Sequence, residues 1–143
     1  MFVTVHVLSG ALLGAVYPRP LPVFATAVAS HLVLDAVPHW GTSDDATFLR
    51  AARVDGLLGL ALLAALGLRS PRSCRSAVWA GMAGAVLLDL DKPALHFFGR
   101  SLQPGWVRWV HQRVQREWPG GLRTEAPAAA LLAVLLTRAY AQR

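Results

Sequence analysis

Apolar and polar positions fall in blocks along this chain rather than in helical stripes. Mainly Ala, Leu, Val and Gly fill five stretches, residues 2–17, 21–37, 54–68, 76–90 and 126–141. Each stretch is apolar on all sides, which is typical of helices surrounded by lipid or buried in a large core. A chain of 143 residues is too short to build such a core. The pattern predicts a single all-α domain, a polytopic membrane bundle of about five transmembrane helices.

The stretches are short for this role. At about 1.5 Å per residue, 15 to 17 residues span roughly 22–26 Å, less than the roughly 30 Å of a hydrocarbon core. Flanking residues or a thin membrane would have to cover the difference. A soluble helical bundle is the alternative architecture.

The long connection before the last stretch has a helical pattern of its own. Pro104 can begin a helix, and Pro119-Gly120-Gly121 can end it. Between them Val107, Val110, His111, Val114 and Trp118 recur at helical spacing. We expect an amphipathic helix over residues 104–118, lying on the membrane surface.

Composition and charge favour lipid as the partner. Hydrophobic residues make up 55% of the chain and charged residues 15%, against about 25% in an average soluble domain. The net charge of +6 comes almost entirely from arginine. In so hydrophobic a chain, this charge indicates anionic lipid or membrane topology, and we expect no nucleic-acid partner. The single cysteine excludes an internal disulfide.

The predicted crossings bring the ionisable residues together. With five spans, all five histidines and all eight acidic residues fall at or just beyond one membrane face. The opposite face carries charge only as arginine, at positions 19, 69, 72, 75, 138 and 143. If these residues only capped helices, they would be divided between the two membrane faces. Their presence at one face therefore predicts that this face carries the functional site.

Four residues at matching depth form a candidate metal site. His31 and Asp35 are four residues apart and share a helix face. Such a pair alone is usually a structural hydrogen bond, but His6 and Asp89 add two further ligands. A mixed set of His and Asp suits Zn²⁺, with Mn²⁺ or Fe²⁺ as alternatives.

Other polar residues have predicted roles around this site. His39 or Asp55 could act as the general base. Four residues of the predicted surface helix could hold an anionic lipid headgroup: Arg108, His111, Arg113 and Arg116.

Several segments resemble one known family. The segment Ser30-His31-Leu-Val-Leu-Asp35-Ala-Val-Pro38-His39-Trp40-Gly41 resembles the SHLLLD-type helix of bacterial inner-membrane proteins described as metal-dependent hydrolases. The element Gly84-Ala-Val-Leu-Leu-Asp89-Leu-Asp91 is similar to that family's Asp-x-Asp element, and His6 with Gly10 and Gly14 is similar to its first helix. The resemblance implies a metal site in a multi-pass protein of the bacterial inner membrane.

The expected function is hydrolysis of a phosphoester-type bond in a membrane lipid or headgroup, with the site on the cytoplasmic side. The alternative is a non-catalytic membrane scaffold or subunit, in which the same cluster binds a structural ion or neutralises itself. The sequence leaves the substrate, the metal and the oligomeric state open.

Overall fold

The computed structural model describes residues 1–143 and is all-α apart from one two-residue strand pair. The elements in chain order are α1 Val3–Val16, α2 Pro20–Asp35, β1 His39–Trp40, α3 Asp45–Arg69, α4 Arg75–Val86, α5 Asp91–Phe98, α6 Gly105–Val114, β2 Glu117–Trp118 and α7 Leu122–Ala141. A 3₁₀ turn, Leu87–Leu90, joins α4 to α5. Helices therefore occupy all five apolar stretches.

Local sequence explains where several helices begin and end. Proline at the first position begins α2, where its fixed φ suits a helix and its missing N–H costs no hydrogen bond. Asp44 begins α3 by accepting a 2.9 Å hydrogen bond from the Thr47 amide. Gly99 ends α5 in the left-handed conformation, with φ +65.

Helix α4 lies at the centre of the fold, between α1 and α2. Gly10 and Gly14 of α1 face Ala77 and Gly81 of α4 so closely that a Cβ at Gly10 would collide with the Gly81 carbonyl. Small residues four apart allow two helix backbones to approach in this way. Beside the crossing, a cluster that includes Val7, Ala11, Val78 and Met82 is fully buried. This packing fixes α1 relative to α4.

Helices α3 and α7 pack on the outside and leave large apolar side chains exposed. Helix α3, with 25 residues, is the one helix long and apolar enough to cross a membrane, while the apolar helices α1 and α2 are shorter. The helix lengths therefore support one span, and a five-span arrangement goes beyond them.

The connection before α7 differs from its sequence prediction. The expected surface helix over 104–118 is helical only from Gly105 to Val114. Gln115 then turns to an extended conformation, and β2 pairs in parallel with β1, so that His39 lies opposite Glu117 and Trp40 opposite Trp118. Hydrogen bonds to a distant segment replace the last helical turn, which local periodicity cannot anticipate. The short helix α5 was not predicted either.

Candidate metal centre

The carboxylate of Asp35, at the end of α2, lies at the centre of a buried polar cluster. Its Oδ1 atom is 3.2 Å from His6 Nε2 and 2.5 Å from the Met1 amino group. Its Oδ2 atom is 3.2 Å from His31 Nε2 and 3.0 Å from His111 Nε2. The two oxygens thus contact three histidines that come from three different helices.

A backbone hydrogen bond determines which nitrogen of His31 is free. His31 Nδ1 lies 2.6 Å from the carbonyl oxygen of Ala85 in α4. Because a carbonyl oxygen only accepts, Nδ1 must carry the hydrogen and donate it. In the neutral ring Nε2 then has a free lone pair, directed at His111 and Asp35. Metal-binding histidines are commonly held in this way, with one nitrogen donating to a carbonyl and the other facing the ion.

Three ligand atoms of this cluster stand at distances that suit a bound metal ion. His31 Nε2 is 3.0 Å from His111 Nε2 and 3.2 Å from Asp35 Oδ2, and the latter two atoms are 3.0 Å apart. For bonds of about 2.0–2.1 Å, neighbouring ligands stand roughly 3.3 Å apart in a tetrahedral shell and roughly 2.9 Å apart in an octahedral one. His31, Asp35 and His111 therefore form a buried triad that could hold a metal ion.

Hydrogen bonding alone satisfies this triad poorly. Asp35 Oδ2 and the His31 Nε2 lone pair both accept, and neutral His111 has at most one hydrogen on Nε2 to offer them. The Gln115 amide adds a donor, 3.3 Å from Asp35 Oδ2. A cation among the three atoms would satisfy them together.

A second buried triad shares His31 and adds His6 and Asp89. The rings of His6 and His31 stack with centroids 3.9 Å apart, and His6 Nε2 is 3.9 Å from Asp89 Oδ2. Asp89 Oδ2 accepts no hydrogen bond, and His6 Nδ1 also has no partner. Because His31 Nε2 can bind one ion at a time, the two triads cannot both use it.

Two positive groups lie against the cluster. The Met1 amino group contacts Asp35, and Lys92 Nζ lies 2.9 Å from Asp89 Oδ1. Burial opposes the charge on Lys92, but the facing carboxylate of Asp89 outweighs it and raises the lysine pKa above its usual value. Each buried carboxylate of the cluster therefore has a nearby cation.

Two other buried carboxylates hold the surrounding backbone. Asp55 accepts hydrogen bonds from the Val3 amide at 2.6 Å, and from the Thr4 amide and hydroxyl at 3.2 and 2.9 Å. Glu125 accepts from the Phe2 and Trp40 amides at 3.1 and 2.8 Å. A carboxylate is favourable at a helix N-terminus, where amide groups point outward. Both side chains thus fix the start of α1, which carries His6.

The strand pair brings α6 to the end of α2. The Arg116 amide donates to the Asp35 carbonyl at 3.1 Å, and the His39 amide donates to the Arg116 carbonyl at 3.0 Å. These bonds bring the segment that follows His111 directly against Asp35. They explain how a residue 76 positions away reaches the cluster.

The four residues predicted as metal ligands, His6, His31, Asp35 and Asp89, all lie in the cluster. The two predicted bases lie outside both triads. Asp55 is engaged at the start of α1, whereas His39 donates from Nδ1 to the Val37 carbonyl at 2.9 Å and keeps a buried, unpartnered Nε2.

The four residues predicted to hold a headgroup separate in the structure. Arg113 and Arg116 are exposed and Arg108 is half-buried, but His111 is buried in the cluster. His111 was predicted to hold a headgroup and not a metal ion, and Gln115 had no predicted role. Their spacing of four residues, which places both on one helix face, was the available signal.

Comparison with known proteins gives no match among family models, curated proteins or solved structures. The family resemblance therefore rests on the sequence segments alone.

Proposed function

We propose that this chain is a membrane-embedded, metal-dependent hydrolase that acts on a phosphoester-type bond in a lipid or its headgroup. The observation that carries the proposal is the buried triad of His31, Asp35 and His111, whose three ligand atoms lie 3.0–3.2 Å apart. Zn²⁺ suits this donor set first, and Mn²⁺ or Fe²⁺ are alternatives.

The residues of the cluster divide into ligands and supports. His31, His111 and Asp35 would hold the ion. The Ala85 carbonyl orients His31 through its other ring nitrogen, and the Gln115 amide contacts Asp35 Oδ2 directly. A divalent ion bound there would lower the pKa of a bound water and polarise a substrate oxygen. His39, with its free Nε2 lone pair, is the proposed general base. We propose that Asp55 is a positioning residue, because all the hydrogen bonds that it accepts come from the start of α1.

Exposed apolar surface supports the membrane setting. Only 17% of the most apolar 18-residue segment of α3 is buried, whereas the core helix of a soluble protein is mostly buried. Leu57 and Leu60 of α3 are 70% and 67% exposed, and Leu131 of α7 is 59% exposed. Lipid would cover this surface. We extend this to five spans, one for each apolar stretch, with the site on the cytoplasmic side. The sequence resemblance implies that the membrane is the bacterial inner membrane.

A non-catalytic scaffold or subunit is the second candidate, and one observation favours it. Asp35 and Asp89 each have a nearby cation from the chain itself, the Met1 amino group and Lys92. Two carboxylates and two ammonium groups balance in charge without any metal. In a scaffold of this kind, the cluster would only stabilise the fold.

Metal analysis and an activity assay on the same samples test the proposal. The protein is purified in detergent, loaded with Zn²⁺, and assayed for phosphate-ester cleavage of phosphatidylglycerol. We expect His111→Ala and Asp35→Asn to lose both bound metal and turnover, and His96→Ala, which changes an exposed histidine, to keep both. Metal loss without any activity in the parent protein would favour the scaffold. Unchanged metal content in Asp35→Asn would contradict the metal site.

A further inference from the structure

Helix α3 carries two exposed arginines, Arg50 and Arg53, in the turns just before Asp55. Neither takes part in an ion pair, since every ion pair of the structure uses a histidine, Lys92 or the Met1 amino group. Residues three apart on a helix are neighbours, and like charges at this spacing destabilise it. The two arginines therefore form a positive surface that makes no ion pair within the chain.

A groove of about 410 Å³ begins at Arg50, between α3 and the start of α1. Arg53 lines the adjoining depression, which shares Arg50 with this groove. Arg50, Val54 and Leu58 line the groove from α3, and Phe2 lines it from the position just before α1. Its α3 residues are three to four apart and so form one face of the helix. The groove thus runs from a charged end at Arg50 to an apolar end at Leu58, which adjoins the exposed Leu57.

We propose that this groove binds one anionic phospholipid, with the phosphate at Arg50 and Arg53 and an acyl chain along Val54 and Leu58. The arginine fork is well suited to phosphate, and the apolar end matches a hydrocarbon chain. A nucleic acid or an acidic peptide would satisfy the arginines but would leave the apolar end uncovered. An amphiphile with one negative headgroup fits both ends.

The position of the arginines along α3 agrees with this ligand. At about 1.5 Å per residue, Arg53 and Arg50 stand roughly 3 and 7 Å beyond Asp55, on the side away from the apolar run of α3. If α3 spans the bilayer, this is the depth of the lipid phosphates. The inference rests on the membrane setting of the proposed function, and it does not depend on the metal.

The groove also lies next to the candidate metal centre. Phe2 lines the groove, while the amino group of its neighbour Met1 contacts Asp35. Asp55, which fixes the start of α1, is part of the groove wall as well. A lipid held here would therefore lie beside the start of α1, next to the Met1 amino group that contacts Asp35.

Thermal unfolding of the full chain in a neutral detergent tests this site. We expect phosphatidylglycerol to raise Tm by about 3 °C or more, and phosphatidylcholine to raise it clearly less. The double variant Arg50→Gln/Arg53→Gln should lose the difference between the lipids. The matched variant Arg69→Gln/Arg72→Gln removes the same charge at the other end of α3 and should keep it. Val54→Phe, which fills the groove without changing charge, should also reduce the shift.

Several outcomes would overturn the lipid site. One is an equal shift in Tm with phosphatidylglycerol and phosphatidylcholine, and another is an equal shift in Tm from a short RNA. A full phosphatidylglycerol shift in the double variant, or its loss in the matched variant, would also overturn the site. If the site fails in this way while the protein still pellets with membranes, the membrane setting stands. A protein that stays in the aqueous phase without detergent would overturn both.

Discussion

His31 Nδ1 donates a 2.6 Å hydrogen bond to the carbonyl oxygen of Ala85, and this bond ties the candidate metal centre to helix α4. Helix α4 is in turn held against α1 by the close approach of Gly10 and Gly81. His6 lies on α1, one turn before Gly10. The helix crossing therefore sets the distance between two histidines of the cluster.

Enlarging Gly81 tests this dependence. A Cβ at Gly81 would collide with the backbone carbonyl of Gly10, and backbone cannot yield as a flexible side chain can. We expect Gly81→Ala to lower the free energy of unfolding by about 1–3 kcal/mol. It should also weaken zinc binding, because Ala85 and His31 would shift. Chemical unfolding and zinc titration measure the two effects.

Gly56→Ala is the matched control, because nothing lies within 4 Å of a Cβ at that helical position. It should be neutral or stabilise the protein by up to about 1 kcal/mol, the difference in helix propensity. Equal behaviour of the two variants would contradict the close crossing.

Asp55→Asn separates a structural role from a catalytic one. Asparagine keeps one acceptor oxygen but loses the charge that favours the amide groups at the start of α1. We expect a loss of about 1–2 kcal/mol in the free energy of unfolding, with zinc content unchanged. Asp45→Asn, on the exposed first turn of α3, should cost less than about 0.5 kcal/mol. An Asp55→Asn protein that unfolds like the parent but loses all turnover would instead identify a catalytic base.

Asp91 should contribute a pH-dependent part of the stability. Burial opposes its ionisation, but hydrogen bonds from the Ser101 hydroxyl and the Leu102 and Gln103 amides outweigh burial and lower its pKa. A lowered folded-state pKa gives stability that is complete above the unfolded pKa of about 3.9 and is lost as the pH falls through the folded value. The difference in Tm between the parent and Asp91→Asn should therefore hold between pH 6 and about 5 and shrink as the pH is lowered below about 3.9. A constant difference over this range would contradict the shift.

Membrane topology can be read from the labelling of single cysteines. The pairing of β1 with β2 holds the segments that flank Ser43 and Gln112 at the same end of the molecule. In cells, Ser43→Cys and Gln112→Cys should react with an impermeant reagent from one side, and Arg72→Cys from the other. The parent protein, whose Cys74 is buried, is the unlabelled background. Labelling of Ser43→Cys and Gln112→Cys from opposite sides would contradict the two crossings, by α3 and α4, that we propose between them.

Local sequence was sufficient for the helices and for part of the site. Apolar blocks predicted the all-α class, and the spacing of His31 and Asp35 placed both on one helix face. The depth of His6 and Asp89, inferred from helix order, brought them to the same region, and they do lie in the cluster.

Long-range contacts account for what the sequence did not predict. His111 reaches Asp35 only because the chain after α6 leaves the helix and pairs with β1, and a two-residue pairing has almost no sequence signature. The roles of Asp55 and Glu125 depend on amide groups of α1 that lie far away in the chain. From charge and residue type alone, Asp55 was predicted to be a general base, and Glu125 was expected to be a surface residue.

The most direct test of the metal centre is a structure of the zinc-loaded protein, determined at the zinc absorption edge. We predict an anomalous peak among His31 Nε2, His111 Nε2 and Asp35 Oδ2, about 2.0–2.2 Å from each. An absence of any peak there, with the three side chains still bonded to one another and to the Met1 amino group, would contradict it.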